Sequence, residues 1–325
     1  MKHIIEGKAA PPAAKWVEVD AESAGQRLDN FLIRQLKGVP KTHVYRIIRS
    51  GEVRINKGRA SADTRIEAGD VVRVPPVRVA DRSAEPAAPA REFPVLLEDD
   101  HLIAIDKPAG VAVHGGSGVS FGVIEQLRQA RPQAKFLELV HRLDRETSGI
   151  LLVAKKRSAL NALQDQFRER ETGKTYLALV TGAWQPNKKV IDLPLHKYLL
   201  PDGERRVRVT TAEDPHGLRS VTLVKLRQAL PPRPLQGLPA MSLLEVTIKT
   251  GRTHQIRVHL ASQGHPIAGD DKYGDFDLNK RLPKQGLKRM FLHAWRLQFT
   301  HPGSGERTTL HAELPPELAD FIPSP

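Results

Sequence analysis

The nine-residue run HRLDRETSG, His141 to Gly149, lies between two short apolar segments, FLELV (Phe136 to Val140) before it and ILLVAK (Ile150 to Lys155) after it. Each segment is long enough for a buried strand and too short for a typical helix. The run is therefore expected to be a polar loop where two strands end, with the carboxyl group of Asp144 set between Arg142 and Arg145. Asp, Thr, Ser and Gly are also ordinary turn residues, so taken alone the run fits a plain hairpin turn as well as a functional site.

The same apolar grain continues to the carboxyl terminus. Strand-like runs recur at HLIAID, GILLVA, TYLALV, SVTLVKL, SLLEVTIK and WRLQFT, and helical spacing is clearest in FGVIEQLRQA and SALNALQDQFRER. Strands outnumber helices, which predicts an α+β domain with a mainly antiparallel mixed sheet over residues 95–322. The Pro-rich segment Ala229 to Ala240 reads as a surface hairpin loop.

A second, smaller unit precedes it. In RLDNFLIRQL the residues Leu28, Phe31, Leu32 and Leu36 form one apolar stripe at helical spacing. After Pro40, a second helix from about Thr42 places Val44, Ile47 and Ile48 inward and Arg46 and Arg49 outward, with Gly51 positioned to end it. EVRIN and DVVRV alternate as strands do, giving a small α/β unit over 19–75. Residues 76–94, rich in Pro and Ala, read as a semi-rigid linker, and 1–18 as a flexible tail.

Charge narrows the partner. Fifty Lys and Arg against 37 Asp and Glu leave +13, and the small unit contributes much of it, with twelve basic minus six acidic side chains between residues 21 and 80 giving +6. Such a surplus steers toward a polyanion. Zero cysteines fit a reducing, cytoplasmic compartment and exclude thiol nucleophiles and cysteine-based metal sites. No apolar stretch is long enough to span a membrane and no export signal opens the chain.

Further polar segments fall at the ends of apolar runs: IDKPAGVAVH (Ile105 to His114), KTYLALV (Lys174 to Val180) and TGRTHQIRVH (Thr250 to His259). In the last, glycine permits a tight turn, and Arg252, His254, Arg257 and His259 supply cations or donors for an anion. Tyr176, heading an apolar strand, also suits a core or rim position. His254 and His259 are five apart, which matches neither the pair on a zinc-binding helix nor a strand's same-face spacing, so no metal is expected. HRLD has Leu143 after Arg142 where a kinase catalytic loop has Asp, and phosphate-loop and dinucleotide fingerprints are absent.

On these residues the chain resembles two known families. QRLDNFLIRQL, the Pro-Lys-x-x-x-Tyr-Arg-Ile-Ile-Arg segment, GEVRIN and EAGDVVRV look like an S4-type RNA-binding module, and that resemblance implies phosphate contacts at Lys41, Arg46, Arg49, Arg54 and Lys57. HRLDRETSG, KTY and GRTHQIRVH resemble the RluA family of pseudouridine synthases over nearly all of residues 20–320. The resemblance implies an isomerase of uridines in large-subunit ribosomal RNA, acting as a monomer at more than one site.

It also implies residue roles. Asp144 would be the essential carboxylate, Arg257 its ion-pair partner and Tyr176 the aromatic that stacks on the base and helps remove the C5 proton. Arg142 would fill the space left by a flipped nucleotide, and Lys107, Arg252 and His254 would contact phosphate or base. Isomerisation detaches the base from C1′, turns it and rejoins it through C5 without redox change or group donor, so no cofactor is expected. Addition of Asp144 to C1′, its addition to C6 and proton abstraction at 2′ or C5 all require the carboxylate ionised, and a nearby guanidinium favours that state. A noncatalytic RNA-binding protein and a metal-dependent hydrolase are the alternatives; the intact motifs weigh against the first and the missing ligands against the second.

Overall fold

The computed structural model describes residues 13–21, 23–36, 38–77, 88–115 and 121–323. Residues 1–12 of the expected tail and 78–87 of the expected linker lie outside the described residues. The chain divides into two units, the first ending at Ala87 and the second beginning at Ala88.

The first unit runs β1 (Lys15–Glu18), α1 (Leu28–Gln35), α2 (Lys41–Arg49), β2 (Arg54–Ile55) and β3 (Val71–Val74), with an antiparallel sheet ordered β1-β3-β2. The stripes pack as their spacing predicts: Leu28, Phe31 and Leu32 from α1 meet Val44, Ile47 and Ile48 from α2 in one core. α2 starts at Lys41, directly behind Pro40, and Gly51 at φ +74 turns the chain out of it while its N–H reaches Ile48 O at 3.0 Å. EVRIN yields only two strand residues. Asn56 and Lys57 both take positive φ, so the chain reverses at once.

The second unit opens with β4 (Val95–Glu98), β5 (Leu102–Lys107), α3 (Val123–Ala130), β6 (Glu138–Leu139), β7 (Ser148–Ala154), α4 (Arg157–Glu169) and β8 (Gly173–Thr181). It continues through β9 (Val190–Asp192), β10 (Leu195–Leu199), β11 (Arg205–Val209), β12 (Val221–Leu230), β13 (Met241–Ile248) and α5 (Gln255–Ser262). It closes with α6 (Phe276–Asn279), β14 (Leu292–Thr300), β15 (Arg307–His311) and α7 (Pro316–Ala319). The sheet order is β4-β5-β7-β14-β8-β13-β12-β9, with β6 on β7 and β15 on β14, while β10 and β11 form a separate ribbon.

β7 explains why ILLVA carries no alternation. Ile150, Leu152 and Ala154 pack with α4 residues Ala159, Leu160 and Leu163, while Leu151 and Val153 face α3 through Val123, Ile124 and Leu127. A strand covered on both faces is apolar throughout. Every pairing in this sheet is antiparallel except β7 with β14, where Ser148 and Gly149 lie beside His293 and Ala294. That seam requires glycine: a Cβ on Gly149, at φ +109, would stand 2.3 Å from Ala294 O. HRLDRETSG thus joins the antiparallel pair β6 and β7 and ends at the one parallel step of the sheet. The Pro-rich segment connects β12 to β13 as a hairpin loop with a short 3-10 turn at Pro234–Gln236.

Among the described residues, no helix is long and apolar enough to cross a membrane.

Candidate active site

The Asp144 loop is pinned from several directions. Thr147 N–H bonds back to Asp144 O at 3.1 Å, closing the turn. His141 stacks on Phe167 at 4.7 Å between centroids, and its Nε2 accepts from Leu152 N–H at 3.1 Å. Burial, then the nearby Lys174, pulls the His141 pKa down to about 3, in keeping with a neutral ring that accepts. At the other end Ser148 Oγ accepts from Arg289 Nη2 at 2.7 Å and bonds His293 Nδ1 at 2.8 Å.

Lys107 belongs to this scaffold. It has no exposed surface, and Nζ donates to Pro108 O and Val111 O at 2.8 Å and to Arg145 O at 3.1 Å. Three carbonyls use all three ammonium protons, so Lys107 ties the end of β5 to the Asp144 loop and has nothing to offer a phosphate, contrary to expectation. Burial, reinforced by Arg289, draws its pKa down to about 7.

The GRTHQIRVH segment follows the end of β13, as its place after an apolar run predicts, and then opens a helix that the sequence does not announce. Gly251 has ordinary φ and open space where a Cβ would stand; His254 takes the left-handed conformation instead, at φ 52, as the residue preceding α5. Gln255 holds the turn by accepting from Thr250 Oγ1 at 2.7 Å and Arg252 N–H at 3.1 Å. One turn into α5, Arg257 grips Asp270 with two bonds of 2.7 and 2.6 Å, reaches Asp271 at 3.1 Å and meets Asp144 Oδ2 at 3.4 Å. Burial opposes the charge on Arg257, but Asp270 outweighs it and the pKa is raised. Asp270, fully buried, is likewise held below the usual carboxylate range by Arg257 despite its burial.

Asp144 therefore meets Arg257 on one oxygen, where His254 Nε2 also stands 3.9 Å away. Tyr273 Oη accepts from Val207 N–H at 3.0 Å and shares a hydrogen bond of 2.8 Å with His254 Nδ1, which holds the ring with Nε2 facing Asp144. Burial keeps the His254 pKa low although Asp144 opposes this. Among the described residues no group bonds Asp144 Oδ1. The side chain is 24% exposed, into a cavity of about 250 Å³ that Tyr176, Arg257, Arg142, Arg252 and His254 also line. Tyr176 projects from β8 opposite Val246, and burial, reinforced by Asp144, pushes its pKa up so that the phenol stays protonated. An adjoining cavity of about 370 Å³ shares Asp144, Arg142, His254 and Arg257. This is an arrangement in which one carboxylate oxygen is anchored and the other is open to a bound molecule.

In the first unit Lys41, Arg46, Arg49 and Lys57 are exposed. Arg54 is half-buried and braces the hairpin, donating to Gly51 O at 3.1 Å and Lys57 O at 3.4 Å. Sequence reasoning missed Asp270 and Asp271, which lie in the polar run GDDKYGD that reads as a surface turn. It also gave no role to Lys174, which lines the cavity beside Tyr176.

Comparison with known proteins places these features. Residues 101–262 match the RNA pseudouridylate synthase family model, and residues 26–72 match the S4 domain model. Ribosomal large subunit pseudouridine synthase C of Salmonella typhimurium is 52% identical over 315 residues, covering 94% of this chain and 95% of that protein. The Pasteurella multocida protein of the same name is 49% identical over 321 residues, covering 97% and 95%. Among solved structures, human RNA Pseudouridylate Synthase Domain Containing 1 superposes with a TM-score of 0.58 at 26% identity, covering 73% of this chain and 90% of that one. Domain Containing 4 gives 0.56 at 26%, covering 70% and 91%.

Proposed function

The chain belongs to the RNA pseudouridylate synthase family, and we propose from that premise that it isomerises specific uridines of large-subunit (23S) ribosomal RNA to pseudouridine. It does so as a cytoplasmic monomer, at more than one site, with no cofactor and no metal. Residues 19–75, together with β1 at Lys15–Glu18 that the sequence assigned to the tail, are the S4-like RNA-binding domain, joined by the linker 76–94 to a catalytic domain over 95–322. The observation that carries the reading is the half-anchored Asp144: Arg257 holds Oδ2 at 3.4 Å, no described residue bonds Oδ1, and the residue lines a cavity together with Tyr176.

A uridine inside a helix hides its reactive edge, so the nucleotide leaves the stack at a cost of a few kcal/mol, offset by phosphate contacts and by stacking in the pocket. Arg142, exposed at the cavity rim, enters the vacated space, and Arg252 and His254 contact the flipped nucleotide. Tyr176 lies against the base. Asp144 then adds to C1′, adds to C6, or takes the proton at 2′ or C5; each route needs an ionised carboxylate, and the Arg257 guanidinium stands 3.4 Å from it. The base turns, C1′–C5 forms, the C5 proton is lost with Tyr176 close by, and N1 gains a proton. A two-carboxylate glycosidase would need a second acid across the bond and a placed water; Asp270 and Asp271 are engaged by Arg257, and Glu146 by Arg145. Lys41, Arg46, Arg49, Arg54 and Lys57 supply backbone contacts from the S4-like domain.

The test incubates large-subunit RNA transcripts with wild type and with Asp144→Ala and maps pseudouridine chemically. Modification by wild type alone is expected. Equal modification by both removes Asp144 from the mechanism, and modification by neither leaves an RNA-binding protein.

A further inference from the structure

Lys174 opens into the same cavity as Asp144 and Tyr176, yet it is only 9% exposed. Positions 174 and 176 share one face of β8, which sets Lys174 one pleat repeat, about 7 Å, along the strand from Tyr176. Its surroundings give the ammonium group no acceptor. The Phe167 ring lies 5.2 Å from Nζ, the neighbouring His141 is neutral with its Nε2 already engaged by Leu152, and Arg170 repels. Among the described residues no carboxylate or carbonyl bonds Nζ. The contrast with Lys107, fully buried and saturated by three carbonyls, is direct. A buried cation without a partner is costly, and burial together with Arg170 accordingly lowers the Lys174 pKa from its usual value. The place where an acceptor would relieve this cost is the cavity.

Resting on the reading that the cavity takes a uridine, we propose that Lys174 is a catalytic residue whose Nζ donates to a carbonyl oxygen of the bound uracil and stabilises the negative charge the base acquires during isomerisation. When C1′–N1 breaks, its electron pair passes to the base and spreads over N1, O2 and O4; if Asp144 adds at C6 instead, the C5–C6 pair moves toward C5 and O4. Both routes load a carbonyl oxygen with charge. A preorganised donor in a water-poor site acts strongly on such charge. The uracil ring adds a further reason. A half-turn about its C6–N3 axis exchanges N1 with C5 and O2 with O4, so a donor facing one carbonyl before the turn faces the other after it. Lys174 gives up no proton at any step, since the C5 proton departs and N1 gains one independently. Cytosine carries an amino group at C4 and would set donor against donor, so the contact also discriminates between the two pyrimidines.

The experiment uses the full-length protein and a large-subunit RNA transcript under single-turnover conditions. Wild-type modification is the control, and its absence overturns the functional reading on which the proposal rests. Lys174→Met keeps the hydrocarbon stem against Phe167, and we expect its rate constant to fall about 100-fold while the enzyme concentration at half-maximal rate stays within about threefold of wild type. Lys174→Ala, which leaves space, should recover rate as methylammonium chloride is added and not in sodium chloride of equal ionic strength. An undiminished rate in Lys174→Met overturns the proposal. So does a loss confined to half-saturation, or a Lys174→Ala rate that methylammonium does not lift.

Discussion

The cations of the first unit and those around Asp144 are handled in opposite ways. Lys41, Arg46, Arg49 and Lys57 stand exposed on α2 and the following hairpin, and among the described residues none of them pairs with a carboxylate; Arg46 meets only His43 and Arg49 only a backbone carbonyl. Arg257 is 4% exposed and meets three carboxylates. Exposed cations attract a polyanion through their number and are screened by salt. Arg257 has its charge committed within the protein, and what it contributes is the position of one carboxylate oxygen. RNA affinity and chemistry should therefore respond to different perturbations.

After loss of Asp144 itself, the largest effect is expected at a residue that never meets substrate. Asp270→Asn leaves Arg257 without its two-pronged partner, and breaking a buried pair typically costs about 3–5 kcal/mol. Thermal melting should show that loss, and the single-turnover rate should fall with it while transcript binding persists; wild-type rate in a stable Asp270→Asn protein would break the comparison. Tyr176→Leu removes the stacking surface, worth about 1–3 kcal/mol per base, so the rate should drop roughly ten- to hundredfold, and Tyr176→Phe should keep the stacking share of it. The double variant Arg46→Ala with Arg49→Ala should weaken binding several-fold and reduce the slope of log affinity against log salt by about 2, with the rate at saturating protein unchanged.

Smaller still is a pH effect on stability. His141 and His293 have native pKa values drawn by burial to about 3 and about 4, below the ordinary 6.5. Below 6.5 the unfolded chain binds protons that the native protein does not, so stability is lost as pH falls from 6.5 toward 4 and these two groups contribute no slope above it. Thermal midpoints measured across that window should decline, and His293→Gln should flatten the decline.

Much of this arrangement was legible in the chain and some was not, for identifiable reasons. The strands of the large sheet follow apolar runs because both faces of β7 are covered, and α1 and α2 announce themselves through single buried stripes. α5 does not. Gln255, Ile256, Arg257, Val258, His259 and Leu260 are all buried, so the helix has no polar face and its spacing carries no period. The resemblance gave Lys107 to phosphate or base, and lysine is rarely fully buried; only the three carbonyls around Nζ reveal a scaffold. The glycine that mattered was Gly149, whose Cβ would strike a neighbouring strand far away in sequence, rather than Gly251 in open space. Asp270 escaped because its partner lies thirteen residues back, across a turn that no local pattern marks. Local periodicity thus located the elements, while the pairings that orient Asp144 depend on contacts between distant segments.

Single-turnover conversion and transcript binding measured together on Asp144→Asn, which keeps the shape of the side chain and removes its charge, address the division of labour most directly. The account predicts binding with wild-type affinity and salt dependence and no detectable pseudouridine. Pseudouridine formed at a rate comparable to wild type would contradict it.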